Sequence, residues 1–405
     1  DVSEKLSSLA AEKILDNIDD IFEDKANFIK DHISLYQEYI QYFPKKTKNK
    51  LGDIYGKIAK LKYDNMKLLG FTNIDVFNDF DEAFKLDPNS FNNPNHLGAY
   101  FKTTLNLSDS GSIGIEQLFN KYDEISEKIE SEIKNYTIKA NQLVSKRESG
   151  NNLSRKDEQK LRSYNTYLGA YAQISKRMES QIGSRGSCDN LIPLYENNFE
   201  DNQNDGKWLD RAMNRLYRKE CTQSELFVKI VEQKNLLEPS ANTSYYLGTV
   251  RDKAGDLDGA LEYFNIAIEL ENDSYEKAKI LFKIATNFRK KGYGFFSRAR
   301  SYYTQALGFN PSMGKCYLAI ASMYNESAPN CGDDNFSQRA VYWLAAEEAK
   351  KAIRVNPSLK KSANQAIKNY LAKAPERSLI FSSEMAGKVI QVKCWINRSV
   401  KVPNL

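Results

Sequence analysis

Few residues in this 405-residue chain are spaced for chemistry. The most suggestive stretch is SAPNCGDDNF, residues 327–336, which sets Cys331 beside Asp333 and Asp334. A thiolate and two carboxylates begin a metal site, but zinc needs further close ligands, and neither a CxxC nor a nearby histidine supplies them. A nucleophilic cysteine needs a base partner, which is also missing. The two histidines, His32 and His96, stand far apart in helix-like contexts. DNQNDGKWLDRA spaces Asp201, Gln203, Asp205 and Gly206 like a calcium loop. Ala212 occupies the place of the bidentate glutamate, so Gly206 reads instead as ending one element before Trp208 begins the next helix. GSRGS and GYG lack the Lys-Ser/Thr of a phosphate loop. These readings assign no catalytic residue, metal or cofactor.

The chemistry therefore has to be sought in surfaces, and surfaces depend on the elements that carry them. Composition is that of a soluble globular protein, 41% hydrophobic and 27% charged, enough for two or three cores. The 58 basic residues barely exceed the 53 acidic ones, a net of +5 that does not announce nucleic acid. Apolar runs stay far below the roughly 18 residues of a membrane span.

Helical periodicity dominates, and four helices end the same way: FKLDPNS, NLLEPSA, GFNPSM and RVNPSL. Counting back from the proline gives small and large residues at fixed spacing. Ala345, Ala349 and Ala352 precede Pro357; Ala299, Tyr303 and Ala306 precede Pro311; Val76, Phe80 and Ala83 precede Pro88. Ala260, Phe264 and Ala267 fit with Asn272 in place of proline. Small residues let one helix press closely on its neighbour, and the proline ends it. With the preceding Leu247-Gly248, Ile284-Ala285 and Ile320-Ala321 segments, these form helix–turn–helix units of about 34 residues. The pattern resembles the tetratricopeptide repeat (TPR) family, best over 241–357 and less closely over 51–88 and 207–239. The resemblance implies an all-α helical solenoid whose inner helices line a groove. The opening stretch falls in an insertion of about a dozen residues inside one such unit, between Tyr324 and Ala345.

Residues 113–185 follow another rule. Ile115, Leu118, Tyr122, Ile125 and Ile129 begin one seam of three-and-four spacing, and Leu161, Tyr164, Leu168 and Tyr171 begin a second. Between them ESGNNLSRKDE breaks the helix, with Ser154 and Asp157 placed as an N-cap box. The expectation is a long antiparallel helical hairpin projecting about 45 Å, with a helix pair packed along the solenoid as the alternative. KVIQVKCWINRSVKV alternates with period two and predicts a small β-hairpin turning at Asn397-Arg398. The expected division is 1–112, an N-terminal TPR-like helical region; 113–185, the helical hairpin; 186–377, the TPR solenoid; and 378–405, the β-hairpin cap. A lone hairpin is marginal in water and must pack on the last repeats. A Cys331–Cys394 bond would tie the insertion to that cap, and Cys188 and Cys221 flank a helical segment across which they could pair. Cys316 reads as a buried free thiol.

Several longer stretches narrow the resemblance. SCDNLIPLYENNFEDN, YEKAKILFKIA, NPSMGKCYLAIASMY, NCGDDNFSQRAVYWLAAEEAKKA, VKCWINRSVKVP and DPNSFNNPN together look like exported TPR proteins of Bacteroidota such as flavobacteria. That resemblance implies a removed signal peptide, a periplasmic or outer-membrane-associated location and no enzymatic activity. It names no partner. The start at Asp1 fits either a mature exported chain or a removed tag.

The expected function is a protein–protein interaction scaffold in an envelope complex, serving secretion and gliding or outer-membrane protein assembly by analogy of lineage. The alternatives are a periplasmic holdase and an enzyme of cell-wall turnover; the missing acid–base and metal constellations argue against the enzyme. The repeat phase points Tyr245, Thr249, Asp252 and Lys253 outward into the groove, followed by Phe282, Thr286, Arg289 and Lys290, then Leu318, Ser322 and Asn325. Aromatic and polar groups together suit an extended peptide or a helix of another envelope protein. Nucleic acid, a membrane span and a small-molecule substrate are not expected.

Overall fold

The computed structural model describes residues 25–404. The expectations that rest on residues 1–24, part of the N-terminal region, lie outside the described residues. The described chain is a helical solenoid with one small antiparallel sheet. It divides into two compact units. One comprises the described part of Asp1–Ile133 with Ala170–Gln181, the other Lys134–Gly169 with Ile182–Leu405.

In the first unit, α1 (Lys25–Tyr42), α2 (Leu51–Asp64), α3 (Asn73–Leu86) and α4 (Pro94–Asp109) follow one another through short connections. Thr72 caps α3 in a reciprocal box with Asp75, and Asn93 caps α4 ahead of Pro94. The repeat residues Val76, Phe80 and Ala83 are fully buried, as their spacing requires. Phe80 meets Phe91 edge-on and Tyr100 obliquely. Tyr100 donates its hydroxyl to Asp81, which Lys121 also reaches at 2.8 Å. Burial raises the Asp81 carboxyl, but the hydrogen bonds from Lys121, Lys85 and Tyr100 outweigh it and hold the group below its usual range.

Both histidines are buried and structural rather than paired with a cysteine. His96, on α4, lies so close to Gly56 of α2 that a Cβ there would come within 2.6 Å of its Nδ1. That nitrogen has no hydrogen-bond partner. Burial, with Lys57 and Lys60 adding to it against Asp53 and Asp64, brings the imidazole down to about 4. In the unfolded chain it titrates near 6.5. Between those values the unfolded state binds more protons, so the His96 contribution is complete above 6.5 and is lost as pH falls toward 4. Urea unfolding of His96→Gln is expected to lose most of the decline that the parent shows over this window. An unchanged decline would refute the assignment. The carboxylates held low by hydrogen bonds, such as Asp75 and Asp87, act at still lower pH.

Two long helices, α5 (Ile115–Glu148) and α6 (Arg155–Ile182), form the expected hairpin, with Ser154 accepting from the Asp157 amide at 3.1 Å. Its base belongs to the first unit, where Tyr122 donates to Glu179 at 2.6 Å and Tyr171 to the Asn92 carbonyl. The outer half does not project. Ala140, Val144 and Leu161 close over Val355 in the second unit, with Leu143, Tyr164, Leu168 and Tyr317 around them. Arg147 donates to the Arg354 carbonyl, and Arg354 pairs with Glu148 at 2.6 Å. The apolar seam is wider than two helices need to bury against each other, and the surplus is satisfied on the repeats.

The second unit continues with α7 (Cys188–Asn202) and four helix pairs. These are α8 (Gly206–Arg218) with α9 (Glu225–Leu237), α10 (Ala241–Lys253) with α11 (Leu257–Leu270), α12 (Ser274–Lys290) with α13 (Phe296–Phe309), and α14 (Gly314–Ser327) with α15 (Asn335–Val355). Then come α16 (Lys360–Leu371), α17 (Arg377–Ser382), β1 (Val389–Val392) and β2 (Arg398–Lys401). Gly206 opens α8 instead of ending the preceding element; Asp205 caps it by accepting from the Lys207 and Trp208 amides. The insertion after Tyr324 is partly absorbed by α15, whose 21 residues make it longer than its counterparts. Asp334 caps that helix in a box with Ser337, and Asp333 stays exposed. Disulfides join Cys331 to Cys394 and Cys188 to Cys221. Cys316 is free and buried, and burial pushes its thiol well up, which makes it inert.

Candidate partner-binding face

The first helices of successive pairs, α8, α10, α12 and α14, are stitched along one face by side chains that cross from repeat to repeat. Tyr217 of α8 shares a hydrogen bond with Tyr245 of α10. Asn287 of α12 donates to the same Tyr245 hydroxyl at 3.2 Å. Lys283, one turn earlier on α12, lies 5.5, 5.0 and 5.2 Å from the ring centres of Tyr217, Tyr245 and Tyr246. Farther along, Arg289 donates to Ser322 of α14 at 3.0 Å and meets Glu326 at 3.3 Å. Lys373, just beyond α16, donates to Asn325 at 3.1 Å. Interhelical polar ladders of this kind hold neighbouring repeats in register while leaving charged tips in water.

The face corrects two expectations. Tyr245 and Thr249 do not point outward; both are buried. Thr249 returns its hydroxyl to the Tyr245 carbonyl at 3.1 Å, and Tyr245 stacks on Phe264 of α11. Burial pushes the Tyr245 phenol well above its ordinary value. The repeat phase gave each inner helix one free stripe, but a bulky tyrosine at that position is long enough to be claimed by both neighbouring repeats.

The other expected groove residues lie as follows. Lys253 and Lys290 are exposed; Asp252, Phe282, Thr286, Arg289, Leu318, Ser322 and Asn325 are half-buried. Asp252 pairs with Lys291 at 2.8 Å, and Lys290 with Glu220 at 2.6 Å. Phe282 and Thr286 both touch Tyr303, by ring packing and by a 3.0 Å hydroxyl contact. Sequence reasoning missed Tyr217, Lys283 and Asn287. The signal was present for Lys283 and Asn287, each one helical turn from a residue that the phase did select, but not for Tyr217, on a helix from which the phase selected none.

Charge distinguishes the row of first helices from their partners. Helices α8, α10, α12, α14 and α16 together carry fifteen lysines and arginines against four acids. Their partners α9, α11, α13 and α15 carry eight against seven. The excess of +5 over the whole chain is therefore exceeded many-fold in relative terms on one row of helices. Among the described residues, no group of three or more His, Cys, Asp or Glu could hold a metal ion, and no helix is long and apolar enough to cross a membrane.

No family model matches the chain. Photosystem I assembly protein Ycf3 of Prochlorococcus marinus (strain NATL1A) is 26% identical over 157 residues, which are 38% of this chain and 85% of that protein. Ycf3 of Cyanophora paradoxa is 35% identical over 106 residues, 24% of this chain and 57% of that protein. Among solved structures, yeast Tom70 aligns over 89% of this chain and 62% of its own, at 14% identity and a TM-score of 0.35. MamA aligns over 46% of this chain and 96% of its own, at 17% identity and a TM-score of 0.31.

Proposed function

We propose that this chain is a non-enzymatic scaffold that holds an acidic segment of a partner protein along the row of first helices α8, α10, α12, α14 and α16. The observation that carries this reading is the charge asymmetry, fifteen basic residues to four acidic on that row against eight to seven behind it. A row of helices with an excess of one sign attracts and orients a segment of the other. Protein fits better than single-stranded nucleic acid, because base stacking needs open ring faces. Here Tyr245 and Tyr246 are buried, and Lys283 lies over them.

We further infer that the protein is exported and works in a bacterial envelope complex, of the secretion and gliding type or in outer-membrane protein assembly. The two disulfides support an oxidising compartment, since such bonds seldom persist in the cytosol. The likeness of its sequence to exported TPR proteins of Bacteroidota points the same way.

The test is crosslinking in envelope extracts followed by binding of the identified segment. Crosslinks from Lys253 and Lys290 should map to an acid-rich stretch. Reversing both charges, Lys253→Glu with Lys290→Glu, is expected to weaken that segment at least tenfold and flatten the fall of affinity with salt. Both side chains are exposed, so the fold should survive. Crosslinks confined to the outer helices, or binding indifferent to salt and to the reversal, would remove the basis for the reading.

A further inference from the structure

The two-stranded sheet has an outer edge that the rest of the second unit leaves open. β1 and β2 pair antiparallel, with Val389 opposite Lys401 and Gln391 opposite Ser399. Just before β1, the Val402 amide donates to the Lys388 carbonyl at 2.9 Å. Hydrogen-bonded and non-hydrogen-bonded pairs alternate along such a ladder. The bonded pairs are therefore Lys388 with Val402, Ile390 with Val400 and Val392 with Arg398. Val389 and Gln391 fall between them, so their N–H and C=O groups point away from β2. Among the described residues, no backbone group meets them there. The side chains alternate as well. Val392, Val400 and Val402 are buried, whereas Val389 is 65% exposed and Gln391 is exposed beside it.

We propose that the outer edge of β1 takes an extended, acidic segment of a partner protein as a third strand. Two donors and two acceptors spaced two residues apart are matched by an extended backbone and not by a helix, whose own groups are already paired. A β-branched side chain opposite Val389 would cover it. Charge decides between a partner and a second copy. Residues 385–405 hold four basic residues and no acidic one. Arg398 is paired with Glu348 at 2.6 Å. Lys388, Lys393 and Lys401 are exposed and meet no carboxylate among the described residues. Lys388 and Lys393 bracket the open positions. Pairing two copies so that Val389 faces Gln391 would bring Lys388 of each beside Lys393 of the other, and edge lysines oppose such pairing. Acidic residues at both ends of an added strand meet the same lysines favourably. This site does not rest on the basic row of first helices, so either can fail without the other.

The experiment uses the full chain and a nine-residue peptide, acetylated and amidated, with two glutamates at each end and alternating valine and threonine between. One control has proline at its centre, and another has lysines in place of the glutamates. Fluorescence anisotropy should show binding of the first peptide alone. Hydrogen exchange at the Val389 and Gln391 amides should slow on binding. Val389→Pro removes an outward N–H and no bond of the β1–β2 ladder, so the hairpin should stay paired while affinity falls at least tenfold. Lys388→Glu with Lys393→Glu alters only exposed side chains; it should weaken the acidic peptide at least tenfold and admit the lysine-ended one. Lys253→Glu with Lys290→Glu should leave this binding unchanged. The proposal is overturned by no binding, by equal binding of the proline peptide, by affinity indifferent to both edge variants, or by protection away from β1. It is equally overturned if sedimentation shows self-association that Val389→Pro abolishes, which would give the edge to a second copy of this chain.

Discussion

Reducing the Cys331–Cys394 bond is expected to destabilise the C-terminal end of the second unit by about 4 kcal/mol. The two cysteines are separated by 63 residues, and the chain-entropy argument gives about that figure for a loop of this length. The bond does not act alone. Trp395, next to Cys394, packs against Phe296 and Tyr324 and donates its indole N–H to Ser327 at 2.9 Å. Arg300 reaches the Ile396 and Trp395 carbonyls at 2.6 and 3.2 Å. Arg398 pairs at 2.6 Å with Glu348, a carboxylate buried in α15 that Lys351 also contacts. Removing the bond should therefore leave the sheet docked in the native state but easier to open. Hydrogen exchange of 389–401 should accelerate by two to three orders of magnitude, while α10 and α11 stay unchanged. Cys394→Ser should reproduce the effect without reductant. Cys331→Ser with Cys394→Ser removes the thiol that Cys394→Ser alone would leave, and Cys188–Cys221 stays closed without reductant. If Cys394→Ser unfolds at the same urea concentration as the parent, with no faster exchange in 389–401, the bond contributes nothing and this account is wrong.

The staple was legible in the sequence because it joins two features that stand out locally, a cysteine in an insertion and a cysteine in a period-two stretch. The core of the repeats was legible for a similar reason. Ala260, Phe264 and Ala267, or Ala299, Tyr303 and Ala306, are buried together because one helical face must be closed, and periodicity reports that face. The hairpin tip was not legible. Its seat depends on Lys134 meeting Asp273, Asn141 meeting Ser312 and Arg354 meeting Glu148, pairs separated by well over a hundred residues. No local pattern marks which of many surface charges will meet. The candidate face fell between these cases. Its helices were identified, but the stripe was turned by one position, since Tyr245 is long enough to bury itself between Tyr217 and Phe264. Lys283 and Asn287 of α12 reach across to that buried Tyr245. The basic bias of the row was hidden because the whole-chain charge averages it away.

The largest single-residue effect within the repeats is expected at Phe264. Its ring is fully buried, stacks on Tyr245 with centroids 5.7 Å apart and meets Phe288 edge-on at 6.3 Å. Phe264→Ala should cost about 3–5 kcal/mol through lost burial and the cavity left behind. Gly248 of α10 faces the same ring. A Cβ at 248 would lie 2.6 Å from Phe264 Cδ1 and 3.1 Å from the Ala260 carbonyl oxygen. Gly248→Ala should therefore cost about 1–3 kcal/mol despite alanine's better helix propensity, because the ring has no free side to which it can move. Gly308 of α13 is the counter-case, with open space around its Cβ position. Gly308→Ala should stabilise, by up to about 1 kcal/mol. The decisive measurement is the double variant. Once the ring is gone, the methyl at 248 has room and partly fills the cavity. Gly248→Ala should then cost close to nothing, a coupling of about 1–3 kcal/mol between the two positions. Urea unfolding of the four chains gives that coupling directly. Strict additivity would mean that Gly248 is required for some reason other than the approach of Phe264, and the close packing of α10 on α11 would need a different explanation.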